Sequence, residues 1–310
     1  MDAFLVIDKP EGPTSHDVVK AVQRLTAARR AGHTGTLDPS ATGVLVVALD
    51  RATRVVAFLP EGEKTYVGCL RLGVETDTQD ATGRVVREGG DIPRDEAAVE
   101  DAFRAFEGRI RQVPPMYSAV KVAGRPLYQR ARRGEEIERP AREVEISKLR
   151  VLEMALPEVT FEVTCSRGTY VRALCADIGR RLGCGAHLTR LRRTGSGEFT
   201  LSQAVTLEEL ARLVAAGTWQ AWAIPMAQAL AVYPRVEVPG ALEARVRCGT
   251  TVPLEMLTGT QGVPSAGSRV RLMSPTGELL ALAEVVREEP ASGQAPGRPA
   301  IRYLRVLADR

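Results

Sequence analysis

The apolar residues of this chain come in short runs whose spacing switches between strand-like and helix-like, and no run is long enough to cross a bilayer. Such irregular switching predicts a mixed α+β fold, because a parallel α/β sheet would need strict strand–helix alternation. Phe4 to Asp8 is a short apolar run stopped at Lys9-Pro10, as a buried strand ends where proline removes a backbone donor. Ser15 then offers an N-cap, with Val18, Val19, Val22 and Leu25 behind it at helical spacing. Val44 to Leu49, Lys64 to Leu72 and Val159 to Cys165 read as strands, and residues 94 to 106 as an amphipathic helix. Val171, Leu174, Cys175, Ile178 and Leu182 mark one face of a helix closed by Gly183, and Thr206-Leu207-Glu208-Glu209 is a capping box that opens another.

From about Val232 the texture changes to short strand-like runs, Arg235 to Val238, Val270 to Met273, Leu279 to Val286 and Arg302 to Val306, with Ser274-Pro275-Thr276-Gly277 as a hairpin turn. A larger unit over residues 1–230 and a small β-rich unit over 231–310 are therefore expected. The 310 residues, 44% of them apolar, can bury a core without disulfides or metals. Cys69, Cys165, Cys175, Cys184 and Cys248 are odd in number and widely spaced, with no C-x-x-C pair and few histidines, so reduced thiols and no metal site are expected. The N-terminal apolar run is too short for a signal sequence, which points to a cytoplasmic protein.

Net charge is only +4, but its distribution is uneven. Residues 109–143 hold nine basic against four acidic residues, and residues 167–193 hold seven arginines and one aspartate, which leaves the remainder net acidic. Such segregation fits a face built for phosphates. The plainer reading is a set of solvated faces. The stretch from Val113 to Pro140, interrupted by Pro114, Pro115, Gly124, Pro126 and Gly134, lacks a clean period and reads as a mobile basic arm.

Gly32-His33-Thr34-Gly35-Thr36-Leu37-Asp38-Pro39-Ser40-Ala41-Thr42-Gly43 reads as an ordered loop feeding the strand at Val44. It is unlike the phosphate-binding loops, having no G-x-x-x-x-G-K-[ST] and no G-x-G-x-x-G. An aspartate in a glycine-rich loop is most often a turn residue satisfying its own backbone. The surrounding pattern reverses that weighting. Asp8-Lys9-Pro10-Glu11-Gly12, the Gly32–Gly43 segment, Lys64-Thr65-Tyr66, Thr76-Asp77-Thr78-Gln79-Asp80, Pro114-Pro115-Met116-Tyr117-Ser118-Ala119-Val120-Lys121 and Ser166-Arg167-Gly168-Thr169-Tyr170-Val171-Arg172 occur in this order. Together they resemble the signature blocks of the TruB family of tRNA pseudouridine synthases, over nearly the whole of residues 4–200.

The resemblance implies a pseudouridine synthase fold, with a central mixed, largely antiparallel sheet, flanking helices and a C-terminal PUA-like β domain. The activity it implies is conversion of uridine 55 in the T loop of tRNA to pseudouridine, without a cofactor. The N1–C1′ bond breaks, the base turns, and it is reattached through C5. The step requires an ionised carboxylate beside C1′ and C2′, as nucleophile on the sugar or as base for the 2′ proton. Asp38 matches that carboxylate, Arg172 the cation that keeps it charged, and Tyr66 the aromatic that stacks on the flipped base. Tyr170 and Leu191 match pocket-lining residues, and His33 a histidine that packs against flipped nucleotides. Lys9 and Asp80 are assigned to the substrate site through the Asp38 loop and the RNA-facing loop. The 109–143 arm corresponds to an RNA-clamping insertion whose arginines meet phosphates.

The implied partner is tRNA, with no membrane, no obligatory protein partner and a monomeric enzyme. An RNA-remodelling protein could use the same arm and β-rich tail. It would gain nothing, however, from a carboxylate among phosphates. A metal-dependent nuclease would instead need clustered acidic ligands.

Overall fold

The computed structural model describes residues 1–118, 120–122, 124–131, 133–135, 137–257, 265–287 and 299–307. Strand β1 (Ala3–Lys9) leads into helix α1 (Ser15–Thr26), then β2 (Ala31–His33), β3 (Thr42–Leu49) and β4 (Lys64–Leu72). Helix α2 (Glu96–Arg104) and β5 (Gly108–Gln112) precede the arm, which carries the short helix α3 (Leu127–Ala131). Strands β6 (Arg142–Ala155) and β7 (Glu158–Cys165), helix α4 (Val171–Arg181), β8 (Ala186–Ser196) and helix α5 (Leu207–Ala215) complete the larger part.

These strands form one sheet in the order β1-β3-β8-β4-β7-β6-β5, antiparallel at every step except between β3 and β8. The expected mixed, largely antiparallel sheet is thus observed. Strands β1 and β3 are apolar without alternation because both of their faces are covered. Leu5, Ile7, Leu45 and Val47 pack with Val18, Val19 and Val22 of α1 and Leu210 of α5. Phe4, Val6, Val44 and Val46 face the other way, into a core shared with Met273, Leu279, Leu282 and Leu307. A third core joins Leu70, Val159, Phe161 and Val163 of the sheet to Leu174, Cys175 and Ile178 of α4 and Val99 and Phe103 of α2.

Past helix α6 (Met226–Ala229), strand β9 (Arg235–Glu237), helix α7 (Gly240–Arg247) and strands β10 (Arg269–Met273), β11 (Leu279–Arg287) and β12 (Pro299–Val306) form the expected β-rich end. The sheet runs β9-β10-β11-β12, and the predicted hairpin turn closes with Gly277 N–H donating to Ser274 O at 3.0 Å. Among the described residues no helix is long and apolar enough to cross a membrane.

Three expectations are corrected. The N-cap of α1 is Thr14, whose hydroxyl accepts from Asp17 N–H while Asp17 accepts from Thr14 N–H; Ser15 is the first helical residue. The predicted loop from Gly32 begins as strand, since Gly32 and His33 pair with Ala48 and Val47. The arm is not devoid of regular structure, for it holds α3 and a pairing of Lys121–Val122 with Arg125–Pro126. Arg132, the side chains of Lys121 and Arg125, and tail residues 291–298 lie outside the described residues.

Candidate active site

The loop between β2 and β3 carries Asp38 and is fixed from below at several points. Lys9, fully buried at 0% exposure, donates its ammonium protons to the carbonyls of Pro10 (2.9 Å), Pro39 (3.0 Å) and Ala41 (2.7 Å). Burial pushes the Lys9 pKa down, and the negative charges of Asp38 and Glu11 act against that shift. The Ser15 hydroxyl accepts from Leu37 N–H at 2.8 Å and donates to Leu37 O at 2.9 Å, while Gly12 N–H donates to Pro39 O at 2.9 Å. Gly43 closes the loop at φ +97°, where a Cβ would lie 2.1 Å from Arg193 O; only glycine lets β3 run this close to β8.

Asp38 stands on this base with its carboxylate 2.9 Å from Nε of Arg172. Its side chain is 41% exposed, so the carboxylate opens toward solvent. The charge is secured from the Arg172 side. That guanidinium, 5% exposed near the start of α4, also donates to Thr78 O at 3.0 Å and Tyr117 O at 2.9 Å. A single arginine therefore ties the Asp38 loop to two distant segments of chain.

Asp80 faces the same guanidinium at 3.6 Å and accepts from the hydroxyls of Thr78 (2.7 Å) and Thr82 (2.5 Å) and from Thr82 N–H (3.0 Å). It orders its own loop behind Arg172. Lys9 likewise braces from beneath, and neither residue is among those lining the cleft.

That cleft encloses about 360 Å³ and is walled by Asp38, Tyr66, Tyr170, Arg172, Leu191 and Lys64, with Ser118 of the arm at its edge. Tyr66 lies on β4 opposite Arg193 of β8, and Leu191 projects from β8 on the same side as Arg193 because the two are separated by two positions. Tyr170 caps α4 without using its side chain, and the Gln112 amide holds its backbone by accepting from Tyr170 N–H (2.8 Å) and donating to Tyr170 O (3.1 Å). The phenol ring of Tyr170 is left available to the cleft. Burial pushes the Tyr66 phenol pKa up, and the nearby Arg193 draws it back down. Burial lowers the Lys64 pKa, and Arg193 lowers it further.

His33 sits just outside the cleft wall, next to Thr34, with a buried Nδ1 that has no hydrogen-bond partner among the described residues. Burial, Arg193 and His16 together lower its pKa. Thr34, Lys64 and Arg167 border both the cleft and a second groove of about 550 Å³, which is lined by residues such as Leu59, Phe199 and Ile224.

Arg193 and Gln112 are functional supports that were not singled out from sequence. Arg193, 1% exposed, donates to Val44 O (2.7 Å), Gly35 O (3.1 Å) and Thr36 O (3.5 Å). In sequence it is one more member of an arginine-rich segment. The expectation that residues 167–193 form a phosphate face as a block is corrected accordingly. Arg172 and Arg193 turn inward, Arg180 pairs with Asp177, Arg190 with Glu158, Arg192 with Asp8 and Arg167 with Glu61. Charge along a chain does not reveal which side chains point into the protein.

The model of the TruB family pseudouridylate synthase N-terminal domain matches residues 23–171, and that of the tRNA pseudouridylate synthase B C-terminal domain matches residues 172–230. The tRNA pseudouridine synthase B of Geobacter sulfurreducens is 48% identical over 276 residues, 88% of this chain and 90% of the relative. That of Syntrophus aciditrophicus is 42% identical over the full length of both chains. Among solved structures, a chain of a Cbf5-Nop10-Gar1 complex superposes with a TM-score of 0.72 at 32% identity, over 99% of this chain and 85% of that one. A chain of an H/ACA RNP bound to a substrate RNA containing 2′-deoxyuridine gives the same TM-score at 29% identity.

Proposed function

Because this chain belongs to the TruB family of pseudouridylate synthases, we propose that it isomerises uridine 55 in the T loop of tRNA, with Asp38 as the catalytic carboxylate. Formation of pseudouridine in tRNA is the activity named for relatives aligned along 88% and along all of the chain. The observation that carries the residue assignment is the pairing of Asp38 with a nearly buried Arg172 at 2.9 Å, at the mouth of a cleft walled by Tyr66.

The chemistry conserves atoms. The N1–C1′ bond breaks, the uracil turns, C1′ bonds to C5, the C5 proton leaves to water and N1 gains a proton. Asp38, open to the cleft, would act at C1′ or at the 2′ proton. Arg172 can hold that charge throughout, and its bonds to Thr78 O and Tyr117 O keep it from following the substrate. Tyr66 offers the π-face that a uracil drawn out of the RNA stack needs, with Tyr170 and Leu191 completing the wall. The larger groove that shares Lys64 and Arg167 with the cleft suits a nucleotide that is still part of a polymer. The enzyme acts alone, as a monomer in the cytoplasm, with the arm clamping the RNA by its phosphates.

Purified protein is mixed, in EDTA, with an unmodified tRNA transcript tritiated at C5 of uridine, and label released to water is counted. Release by the wild type and none by Asp38→Asn, at unchanged tRNA affinity, is expected. Full release by Asp38→Asn would refute the assignment. Binding without release by the wild type would identify an RNA-remodelling protein.

A further inference from the structure

A separate concavity of about 750 Å³ shares no wall residue with the cleft or the groove beside it. Arg111 lines it where β5 runs into the arm, Arg139 where the arm returns, Asp177, Arg180 and Arg181 from the last turns of α4, and Gln79 from the loop behind Arg172. Four guanidiniums thus face one carboxylate, and that carboxylate is already engaged, since Arg180 donates to Asp177 at 2.5 Å. Glu143, opposite Arg111 in the sheet, stands 4.0 Å from Arg109 instead. Among the described residues the side chains of Arg111 and Arg181 have no hydrogen-bond or ion-pair partner. Two further polar atoms of the wall, Nε of Arg139 and Oε1 of Gln79, are buried and unpartnered among the described residues. Buried polar groups normally find a partner. A half turn of the Gln79 amide about its soft terminal torsion exchanges that oxygen for NH2, so this position too can donate.

A concavity lined by one sign of charge concentrates ions of the other. Guanidinium forks match the oxygens of a phosphate, and four of them against one engaged carboxylate call for a ligand carrying more than one negative charge. We propose that this concavity is a phosphate-binding site, distinct from the cleft and shared between the roots of the arm and α4. Arg139 already joins the arm's exit to its entry by donating to Pro114 O at 3.3 Å, and a phosphate here adds α4 to that junction. Near the start of α4 stands Arg172, which holds Asp38 and Tyr117 O of the arm. Arg180 and Arg181 lie about 12–14 Å further along the helix, so an RNA with its target in the cleft can reach both places. The phosphate belongs to the RNA backbone or to a free oligophosphate, and the chemistry of the wall is the same for either.

The RNA source rests on the functional reading above, and the free anion does not. The test involves no turnover, so it can fail or succeed independently of Asp38→Asn in the tritium assay. It uses the full chain with Arg111→Gln and Arg181→Gln, singly and together, which remove one cation from each wall and break no side-chain bond among the described residues. The control, Arg24→Gln/Arg212→Gln, removes the same charge from α1 and α5, which pack at the β1 end of the sheet. Calorimetric titration with tripolyphosphate should show one site per chain, weakened about threefold in each single variant, at least tenfold in the pair and less than twofold in the control. The salt dependence of tRNA binding should flatten by about 1.5 units of slope in the pair, for two lost phosphate contacts, and stay at the wild-type slope in the control. A change with tripolyphosphate alone assigns the site to a free anion, and a change in the tRNA slope alone assigns it to RNA. Equal losses in the pair and the control, or no loss in either assay, overturn the proposal. So does a loss confined to one of the two single variants, because the site would then not be shared.

Discussion

Replacing Arg172 by methionine keeps the volume of the side-chain stem and removes the guanidinium. Lost with it are the ion pair to Asp38 at 2.9 Å, the hydrogen bonds to Thr78 O and Tyr117 O, and the cation facing Asp80 at 3.6 Å. Removing one partner of a buried ion pair costs about 3–5 kcal/mol when the other charge is left without compensation. Here the abandoned charges have some relief. Asp38 is 41% exposed and can rehydrate, and Asp80, at 10%, keeps the Thr78 and Thr82 donors. That places the ionic part near the low end, about 3 kcal/mol, and two orphaned carbonyls add about 1 kcal/mol in total once water reaches one of them. A loss of about 4 kcal/mol is therefore expected.

Asp38→Asn, by contrast, removes the exposed member and leaves Arg172 with Asp80 and both carbonyls, so it should cost about 1 kcal/mol or less. Urea denaturation followed by fluorescence and circular dichroism, fitted with a common slope, measures both. The asymmetry is the sharper test: equal losses in the two variants would mean that the burial of Arg172 does not carry the stability assigned to it.

Gly43→Ala should prevent normal folding or cost several kcal/mol, since its Cβ would lie 2.1 Å from Arg193 O on a backbone at φ +97° that L-residues avoid; yield of soluble protein and thermal midpoint check this. The His33 pKa is lowered from 6.5, so the unfolded chain takes up a proton that the native protein resists; stability should fall as pH drops through and below 6.5, and the fall should shrink in His33→Gln, measured by urea midpoints. Arg109 and Arg111 are exposed on β5 at the base of the arm, and replacing both with glutamine should weaken tRNA binding and flatten its salt dependence by up to about one unit of slope per lost phosphate contact, while an unchanged slope would put the RNA elsewhere.

Strands β1, β3, β4 and β7 were legible because their apolar runs are continuous or strictly alternating and end at recognisable breaks. Strand β6 was not. Its pairing with β7 slips between Ile146 and Lys148 and again between Val151 and Glu153, and each bulge shifts the alternation by one residue. Strand β8 slips in the same way between Leu188 and Arg190 and between Arg193 and Gly195. The site followed the same division. Asp38, Tyr66, Tyr170, Arg172 and Leu191, separated widely in sequence, do line one cleft, whereas Lys9 and Asp80 stand behind it as supports.

The amino-acid sequence by itself determined the class of fold, the β-rich end and the motif residues that come together in one cleft, because periodicity, turn residues and ordered motifs are local properties of a chain. Which arginines turn into the interior was decided only by tertiary structure. Arg193 looks like its neighbours in sequence, and it becomes internal because the fold brings the carbonyls of Gly35, Thr36 and Val44 to meet it, as it brings those of Thr78 and Tyr117 to Arg172. A buried cation is tolerable only where distant backbone converges on it, and that convergence is a property of the folded sheet.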